Sequence, residues 1–373
     1  MTTTTRAAVM WQSGQWWDVV ELELDDPKAH EVLVRFEASG LCHSDDHVRT
    51  GDMPVRFPIV GGHEGAGVVE KVGPMVERVK VGDRVVCSFI PVCGTCRSCS
   101  MGAQNLCESA RNARTGALLD DTFRFHKDGE DLGAMCTLGS FSERAVVNEW
   151  SCVRLPDDIP FELGALVGCG VLTGWGAAMN AAAVRPGQAV VVYGAGGVGI
   201  SAVQGAAYAG ARPLVVVDPV EFKREQALEL GATHAFAKAS EALEFVTAET
   251  GGRLADHALV TVSVVSAETV NDAVNVVGKR GTVTIAAMGR ADEVAIQVHP
   301  GLLIGFERKI QGTLFGGCNP LVDMPRIFEV YRAGHLKLDE LITTRYQLDQ
   351  VNEAYQDMLD GKNLRGMIIH EHL

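Results

Sequence analysis

The feature that most constrains the fold is an apolar run that ends in glycines, AVVVYGAGGVG, at positions 189–199. Continuous apolar residues followed by glycine are typical of a buried parallel strand that leads into a tight turn. The small apolar residues that follow predict a helix. The turn has the pattern G-x-G-x-x-G, which allows a sharp turn, close approach of the backbone to a pyrophosphate, and close packing of helix on strand. We assign the predicted phosphate-binding turn to Gly194, Gly196, Gly197, Val198 and Gly199.

A second apolar strand pattern, PLVVV at 213–217, ends in Asp218, nineteen residues after Gly199. An acidic residue at that distance is typical of the group that binds the ribose hydroxyls of a dinucleotide. Because a carboxylate repels a 2′-phosphate, the sequence favours NAD(H) over NADP(H). Strand and helix patterns then alternate as far as Met288, which predicts an α/β fold with a doubly wound parallel sheet.

The 373 residues are too many for one ordinary core, so we expect more than one domain. Residues 1–170 contain short apolar runs broken by glycine and proline, which predicts a β-rich, barrel-like domain. Residues 171–313 form the predicted cofactor domain, and residues 314–373 are expected to return to the first domain. The segment 109–138 is polar and lacks periodicity, so we expect a long surface loop or an excursion that contacts a partner.

Charge and composition exclude several classes of partner. The formal net charge is −14, which argues against binding to nucleic acid or to an anionic membrane, since both need a basic face. Apolar runs long enough for a transmembrane helix are missing from the sequence, and the start, MTTTTRAAVM, does not resemble a signal peptide. Clustered cysteines without an export signal favour metal ligation in a reducing cytoplasm.

Four cysteines lie within fifteen residues, in the pattern C-x-x-C-x-x-C followed by a fourth cysteine eight residues later. Four thiolates at this spacing have the composition of a closed tetrahedral zinc site, which would stabilise a segment with little core of its own. Iron–sulfur ligation uses similar spacings and stays an alternative, as does a disulfide cluster. The four residues are Cys93, Cys96, Cys99 and Cys107.

Six motifs together resemble one family. They are GLCHSD, GGHEGAG, C-x-x-C-x-x-C-x7-C, LVGCGVLTGWG, GAGGVG and GKNLRG, and they span residues 40–365 in order. This set resembles the zinc-dependent alcohol dehydrogenases of the medium-chain dehydrogenase/reductase superfamily, which combine a GroES-like barrel domain with a Rossmann-type domain. The details PVEFKREQ, GTLFGGCNP and FRFHKDGED are most similar to the nicotinoprotein members that depend on N,N-dimethyl-4-nitrosoaniline (NDMA) and keep NAD(H) bound through turnover.

The resemblance implies two zinc ions per subunit. Cys42, His63 and Cys169 match the ligands of the catalytic zinc, and three protein ligands leave a fourth position open. The four clustered cysteines match a structural zinc site. Glu64 follows a ligand and is expected to approach the metal, whereas Asp45 matches the carboxylate that orients the zinc-bound histidine. Cys87, Cys136, Cys152 and Cys318 receive no role.

The remaining implied roles concern proton transfer, cofactor and substrate. Ser44 is expected to take the alcohol proton, and a relay then runs through the cofactor ribose and His47 to solvent. His43 stands where many relatives have an arginine against the cofactor pyrophosphate. The other positions are Arg365 for the pyrophosphate, Lys223 for the adenosine ribose, Thr173 for the nicotinamide and Phe89 for the alcohol pocket.

The expected function is reversible oxidation of primary alcohols to aldehydes by hydride transfer to NAD. The resemblance implies tightly bound NAD(H) that a second substrate, such as NDMA or an aldehyde, recycles. A conventional NAD-exchanging dehydrogenase for alcohols or for a thiol adduct of formaldehyde stays an alternative. A crystallin-like or metal-binding protein on the same scaffold belongs to a different class and would have lost a ligand. We expect small alcohols and aldehydes as partners, and a homodimer or homotetramer.

Overall fold

The computed structural model describes residues 3–290 and 296–372. Its internal contacts divide the chain into two compact units. The first unit comprises Met1–Cys169, Asn319–Val330 and Leu338–Leu373. The second comprises Gly170–Cys318 and Tyr331–Lys337.

The first unit contains a closed barrel and a larger sheet. The barrel strands, in order around the barrel, are Thr3–Met10, Asp18–Leu24, Phe125–Lys127, Glu130–Ala134 and Ile59–Val60. The seven strands of the sheet are Cys152–Arg154, Arg84–Cys87, Gly65–Val72, Glu31–Gly40, Arg365–Ile369 and Ile342–Tyr346 in order, with Arg144–Asn148 also paired to Glu31–Gly40.

The alternating sequence EVLVRFEASG explains the central strand of that sheet, Glu31–Gly40. Val32, Val34 and Phe36 are fully buried, and a β-strand turns every second side chain to the same face. These side chains join a core that the sheet shares with the barrel strands. The strand ends at Gly40, directly before Leu41 and Cys42, so the core places the first of the predicted metal ligands.

The second unit is built on a six-stranded parallel sheet. Its strands, in spatial order, are His234–Phe236, Leu214–Val217, Val190–Tyr193, Ala255–Val260, Val277–Ile285 and Lys309–Gly312. Numbered along the chain this order is 3-2-1-4-5-6, the order of the Rossmann fold. A two-stranded sheet, Val264–Val265 with Met288–Gly289, accompanies it. The predicted fold class, a doubly wound parallel sheet together with a β-rich barrel domain, is confirmed.

Helices and short helical turns connect the strands. The α-helices are His43–Thr50, Arg97–Ser100, Phe161–Val167, Gly170–Gly176, Gly197–Tyr208, Glu221–Glu229, Ala239–Glu249, Ala267–Val276, Pro300–Ile304, Pro320–Arg332 and Val351–Leu359. Ala177–Ala181 is a π-helical turn. The 3₁₀ turns are Gln104–Leu106, Glu108–Asn112, Met135–Thr137, Glu149–Ser151, Phe315–Gly317, Asp339–Leu341 and Leu348–Gln350. Within the described ranges, no single helix is long and apolar enough to cross a membrane, although the bent pair Phe161–Val167 and Gly170–Ala181 passes by length and composition alone.

The expectation that residues 109–138 form a surface loop is wrong for residues 125–134. This segment contributes the hairpin Phe125–Lys127 and Glu130–Ala134 to the closed barrel. Phe125 and Leu132 are about 1% exposed and belong to the barrel core. The polar composition hid this burial because the hairpin is held by a buried ion pair, not by apolar residues alone.

The ion pair joins Arg124 to Glu31 at the start of the central strand. The Arg124 and Glu31 side chains are 2% and 4% exposed. The Arg124 Nε donates to Glu31 Oε2 at 2.8 Å, and its Nη2 donates to the other Glu31 oxygen and to Asp120 at 2.9 Å. This two-point pairing satisfies both charges inside the protein.

We predict that Arg124→Ala lowers the free energy of unfolding of the zinc-loaded protein by about 3–5 kcal/mol, because it leaves the Glu31 carboxylate buried without its partner. Urea unfolding followed by tryptophan fluorescence measures the change. Arg111→Ala is the matched control, since Arg111 lies 3.8 Å from Asp121 at the surface and both side chains are more than half exposed. That variant should change the unfolding free energy by less than about 1 kcal/mol. Equal effects of the two variants would show that the ion pair does not anchor the hairpin.

Candidate metal and cofactor sites

The glycine turn of the second unit lies at the carboxyl end of the strand Val190–Tyr193. This strand pairs with Leu214–Val217 on one side and with Ala255–Val260 on the other, so the strand order reverses here, which is where such sheets bind ligands. Gly194 has φ +90°, which favours glycine. A Cβ at Gly199 would overlap the carbonyl oxygen of Gly194, so only glycine lets the helix approach so closely. The helix Gly197–Tyr208 begins here and directs its free N–H groups toward the turn.

Asp218 is placed against this turn. Its Oδ2 accepts a hydrogen bond from the Ala195 N–H at 2.8 Å, and its Oδ1 accepts one from the Val220 N–H at 2.9 Å. The carboxylate is 5% exposed. The predicted ribose-binding residue therefore also fixes the backbone of the phosphate-binding turn, a task that the sequence did not indicate.

Two further cofactor positions lie on helices of this unit. Thr173 is on the helix Gly170–Gly176, which packs against the helix Gly197–Tyr208 that begins at the turn. Lys223 is half-buried on the helix Glu221–Glu229, which follows Asp218. Their contacts with a nicotinamide and a ribose stay predictions.

The first unit brings together the residues predicted to bind the catalytic metal. Four side chains each offer one ligand atom, and these atoms all lie within 4.8 Å of one another; the residues are Cys42, His63, Glu64 and Cys169. Cys42 precedes the helix His43–Thr50, His63 and Glu64 lie between two strands, and Cys169 follows the helix Phe161–Val167. Residues that are distant in the chain thus converge at one buried point.

The hydrogen bonds of His63 leave one ring nitrogen available for a metal. Its Nδ1 lies 3.3 Å from Asp45 Oδ1, and a carboxylate only accepts, so the proton is on Nδ1. Its Nε2 is buried and has no hydrogen-bond partner among the described residues. A buried ring nitrogen without a hydrogen-bond partner is costly unless a cation, either a proton or a metal ion, binds it. The donor set of two sulfurs and one nitrogen fits zinc.

The local electrostatics fit a cation as well. Burial lowers the pKa of His63, but the Asp45 carboxylate and the two sulfurs outweigh it and raise the pKa well above its usual range. The hydrogen bond from Cys169 lowers the pKa of Cys42, whereas the same contact and burial raise that of Cys169. The cluster therefore favours one thiolate and bound positive charge even before a metal is considered.

Glu64 is paired with Arg365 inside the first unit. The Arg365 guanidinium donates to the Glu64 carboxylate, and the two side chains are 5% and 0% exposed. Burial raises the pKa of Glu64 to about 7, against the lowering effect of Arg365. The resemblance assigned Arg365 to the pyrophosphate, and this contact stays a prediction. The pairing itself was not foreseen, because nothing in the local sequence links the two residues.

The helix His43–Thr50 carries the predicted proton-transfer residues. Asp45 is fully buried, and its Oδ1 also accepts the Gly62 N–H at 2.9 Å. The Ser44 hydroxyl lies 3.6 Å from Cys42 Sγ. His47 is 5% exposed and contacts Asp52 through its Nδ1 at 3.3 Å. Asp52 was missed by the sequence reasoning, since no motif includes it.

Phe89 and His43 complete the predicted set. The Phe89 ring meets the His63 ring edge-on, with 6.0 Å between the centroids. Phe89 is therefore next to the metal ligands, although its contact with an alcohol stays a prediction. His43 begins the helix directly after Cys42.

The four clustered cysteines also converge on one point, with ligand atoms within 4.8 Å of one another. The Sγ–Sγ distance is 3.6 Å between Cys107 and Cys93, and 3.8 Å between Cys96 and Cys107. Sulfurs bound at 2.3 Å to one tetrahedral ion stand ~3.8 Å apart, so this spacing favours a single ion over a multi-iron cluster.

Backbone N–H groups stabilise these sulfurs. The N–H of Cys96 donates to Cys93 Sγ at 3.3 Å, and that of Cys93 donates to Cys107 Sγ at 3.4 Å. Burial opposes ionisation of Cys93, but the N–H groups of Thr95 and Cys96 lower its pKa to about 6. Burial, by contrast, raises the pKa of Cys99 to about 12. Thiolates are the form that binds zinc, so the Cys93 thiol is prepared for the metal.

Comparison with known proteins shows the family to which the chain belongs. The model of the alcohol dehydrogenase GroES-like domain matches residues 28–157, and that of the zinc-binding dehydrogenases matches residues 197–329. The chain is 54% identical over 366 residues to an NDMA-dependent alcohol dehydrogenase of Amycolatopsis methanolica, covering 98% of this chain and 99% of the relative.

Two further comparisons agree. The chain is 37% identical over 378 residues to an S-(hydroxymethyl)glutathione dehydrogenase of Komagataella pastoris, covering 97% of each chain. A crystal structure of an alcohol dehydrogenase zinc-binding domain protein from Burkholderia ambifaria superposes with a TM-score of 0.92, at 34% identity and with full coverage of both chains. The chain therefore belongs to the zinc-dependent alcohol dehydrogenases of the medium-chain dehydrogenase/reductase superfamily.

Proposed function

We propose that the protein oxidises primary alcohols to aldehydes, reversibly, by hydride transfer to an NAD(H) that stays bound and is recycled by a second substrate. The observation that carries this proposal is the buried cluster of Cys42, His63 and Cys169, in which the His63 Nε2 lone pair has no hydrogen-bond partner among the described residues. The high identity to a relative named as NDMA-dependent supports the bound, recycled cofactor.

Cys42, His63 and Cys169 would hold the catalytic zinc, and Asp45 holds the His63 ring in the tautomer that binds it. When bound, zinc would supply a Lewis acid that polarises the oxygen of the alcohol or aldehyde. Ser44, beside Cys42, accepts the alcohol proton, and His47 passes it to solvent. Phe89, beside His63, would line the alcohol pocket.

In the second unit the glycine turn and the start of the helix Gly197–Tyr208 would bind the cofactor pyrophosphate. Asp218 would accept hydrogen bonds from the adenosine ribose and disfavour a 2′-phosphate. Thr173 would contact the nicotinamide, and Lys223 would add positive charge near the adenosine ribose. In the first unit, the four-cysteine site would hold a second, structural zinc.

The test of this function is the cofactor content of the purified protein. After extensive dialysis and denaturation, we expect close to one NAD(H) released per chain, and alcohol oxidation with NDMA or an aldehyde as acceptor without added NAD. Protein that releases no cofactor and reduces added NAD with alcohol would instead be a conventional, exchanging dehydrogenase. Activity only with a thiol adduct of formaldehyde would favour the function named for the Komagataella pastoris relative.

We predict that Cys42→Ser abolishes alcohol oxidation and reduces the zinc content from two ions per chain to one, while the melting temperature changes little. Activity and zinc are lost because serine is a poor zinc ligand. The melting temperature changes little because this site contributes to the reaction and not to folding. Atomic absorption and thermal unfolding measure both quantities.

Cys107→Ser is the matched variant for the other cluster. It should also lose one zinc ion but should lower the melting temperature, because residues 93–107 depend on that ion for structure. Full activity of zinc-depleted Cys42→Ser protein would rule out the proposed catalytic site.

We predict that Asp218→Asn weakens NAD binding. The ratio of the NADP dissociation constant to the NAD dissociation constant should fall by about tenfold or more, equivalent to about 1.4 kcal/mol. Asparagine removes the charge that repels a 2′-phosphate and keeps one oxygen acceptor for the Ala195 N–H. Calorimetric titration of cofactor-stripped protein with each nucleotide gives the two affinities. An unchanged ratio would remove Asp218 from the choice of cofactor.

A further inference from the structure

The carboxylate of Asp52 lies against the ring of His47. The helix that carries His47 ends at Thr50, and the next residue, Gly51, has a φ of +84° that turns the chain back, so that Asp52 returns to the last turn of the helix. His47 Nδ1 lies 3.3 Å from Asp52 Oδ2, and the Thr50 hydroxyl donates to the same oxygen at 2.8 Å. Both contacts lie within the first unit.

The contact determines which nitrogen of His47 carries the proton. A carboxylate oxygen only accepts hydrogen bonds, so the neutral ring donates from Nδ1 to Asp52. The lone pair of the neutral ring is then on Nε2. A histidine in this tautomer accepts a proton at Nε2 and keeps its Nδ1 hydrogen bond throughout.

The neighbouring acidic residues of the helix have other partners. Asp45 contacts the Gly62 N–H and His63. Asp46 pairs with Arg49 Nε at 2.7 Å. The side chains of His47 and Asp52 are 6% and 16% exposed, so water screens their interaction less than it would at the surface. The described contact with the His47 ring is thus made by Asp52 and not by the two acidic residues of the helix.

We propose that Asp52 is a positioning residue for proton release: it holds His47 with the proton on Nδ1, so that Nε2 accepts the proton lost by the alcohol. This rests on the proposed function. For each alcohol oxidised, the carbon loses a hydride to the cofactor and the hydroxyl loses one proton. His47 takes a proton at Nε2 while its Nδ1 keeps the hydrogen bond to the Asp52 carboxylate, and the same nitrogen then releases the proton to water.

The first test is the tautomer of His47, observed by nuclear magnetic resonance on zinc-loaded protein that contains ¹⁵N-labelled histidine. His47→Gln identifies the His47 signals by their loss. We expect the parent protein to show His47 as the Nδ1–H tautomer, and Asp52→Ala to show a mixture of the two tautomers. A parent ring protonated on Nε2, or unchanged His47 signals in Asp52→Ala, would overturn the proposal.

The second test is kinetic. Asp52→Ala should lower kcat for alcohol oxidation roughly tenfold with little change in KM, as is found when a partner that orients a functional histidine is lost. Asp52→Asn keeps an accepting oxygen without the charge and should fall between Asp52→Ala and the parent, and Asp52→Glu should restore part of the rate.

Thr50→Val is the matched control, since it removes the other donor to the same carboxylate oxygen and leaves the contact between the His47 ring and Asp52 in place. It also removes the longer hydrogen bond, 3.4 Å, from the Thr50 hydroxyl to the His47 carbonyl oxygen. Its kcat should stay within about twofold of the parent. An equal loss in Thr50→Val and Asp52→Ala would indicate a merely structural role and overturn the proposal.

His47→Gln separates this proposal from the proposed function. If His47→Gln keeps the full rate while the parent oxidises alcohols, His47 does not relay the proton and the proposal for Asp52 fails alone. If the parent oxidises no alcohol, the proposed function fails, and with it the kinetic role of Asp52, whatever tautomer the spectra show.

Discussion

The buried hydrogen bond between Asp45 and His63 is the contact on which the candidate metal site depends. It places the proton on Nδ1 of His63 and leaves a buried Nε2 lone pair that no described residue satisfies. Asp45 is itself fixed by the Gly62 N–H, one residue before His63. The backbone between two strands therefore orients both the ligand and the carboxylate that orients the ligand.

The surrounding sheet extends this fixation to the other members of the site. The Gly40 N–H donates to the Glu64 carbonyl at 3.0 Å, and the Leu41 N–H donates to the Gly366 carbonyl at 3.1 Å. The strand end before Cys42 is thus tied to Glu64 and to the neighbour of Arg365. Because these backbone bonds come from sheet pairing, the Glu64–Arg365 pair and the first thiol are held by the same elements that form the core.

Sequence patterns predicted the parts of this molecule whose signal is local. The glycine turn, the strand before it and Asp218 follow a short motif whose geometry requires those residue types, and the four clustered cysteines carry their own spacing. Cys42, His63 and Cys169 are distant in the chain and have no such spacing, so only the resemblance to a family assembled them. The contacts that were missed, Glu64 with Arg365 and Asp52 with His47, join residues that no motif pairs. The hairpin at 125–134 was missed for a different reason. Charged residues in a sequence usually indicate an exposed segment, but here Arg124 is buried because it pairs with Glu31.

The two histidine–carboxylate contacts of the first unit show how one local device can give two chemical outcomes. In both, a carboxylate accepts from Nδ1 and leaves Nε2 as the acceptor. At His63 the ring and its carboxylate are 2% and 0% exposed, and two cysteines stand beside the lone pair, which therefore suits a metal ion. At His47 the carboxylate is 16% exposed, and neither ligand cluster found among the described residues includes His47. This setting fits the proposed role of His47 in passing a proton to water. Burial and neighbouring donors, and not the histidine–carboxylate contact itself, decide whether the nitrogen holds a metal or transfers a proton.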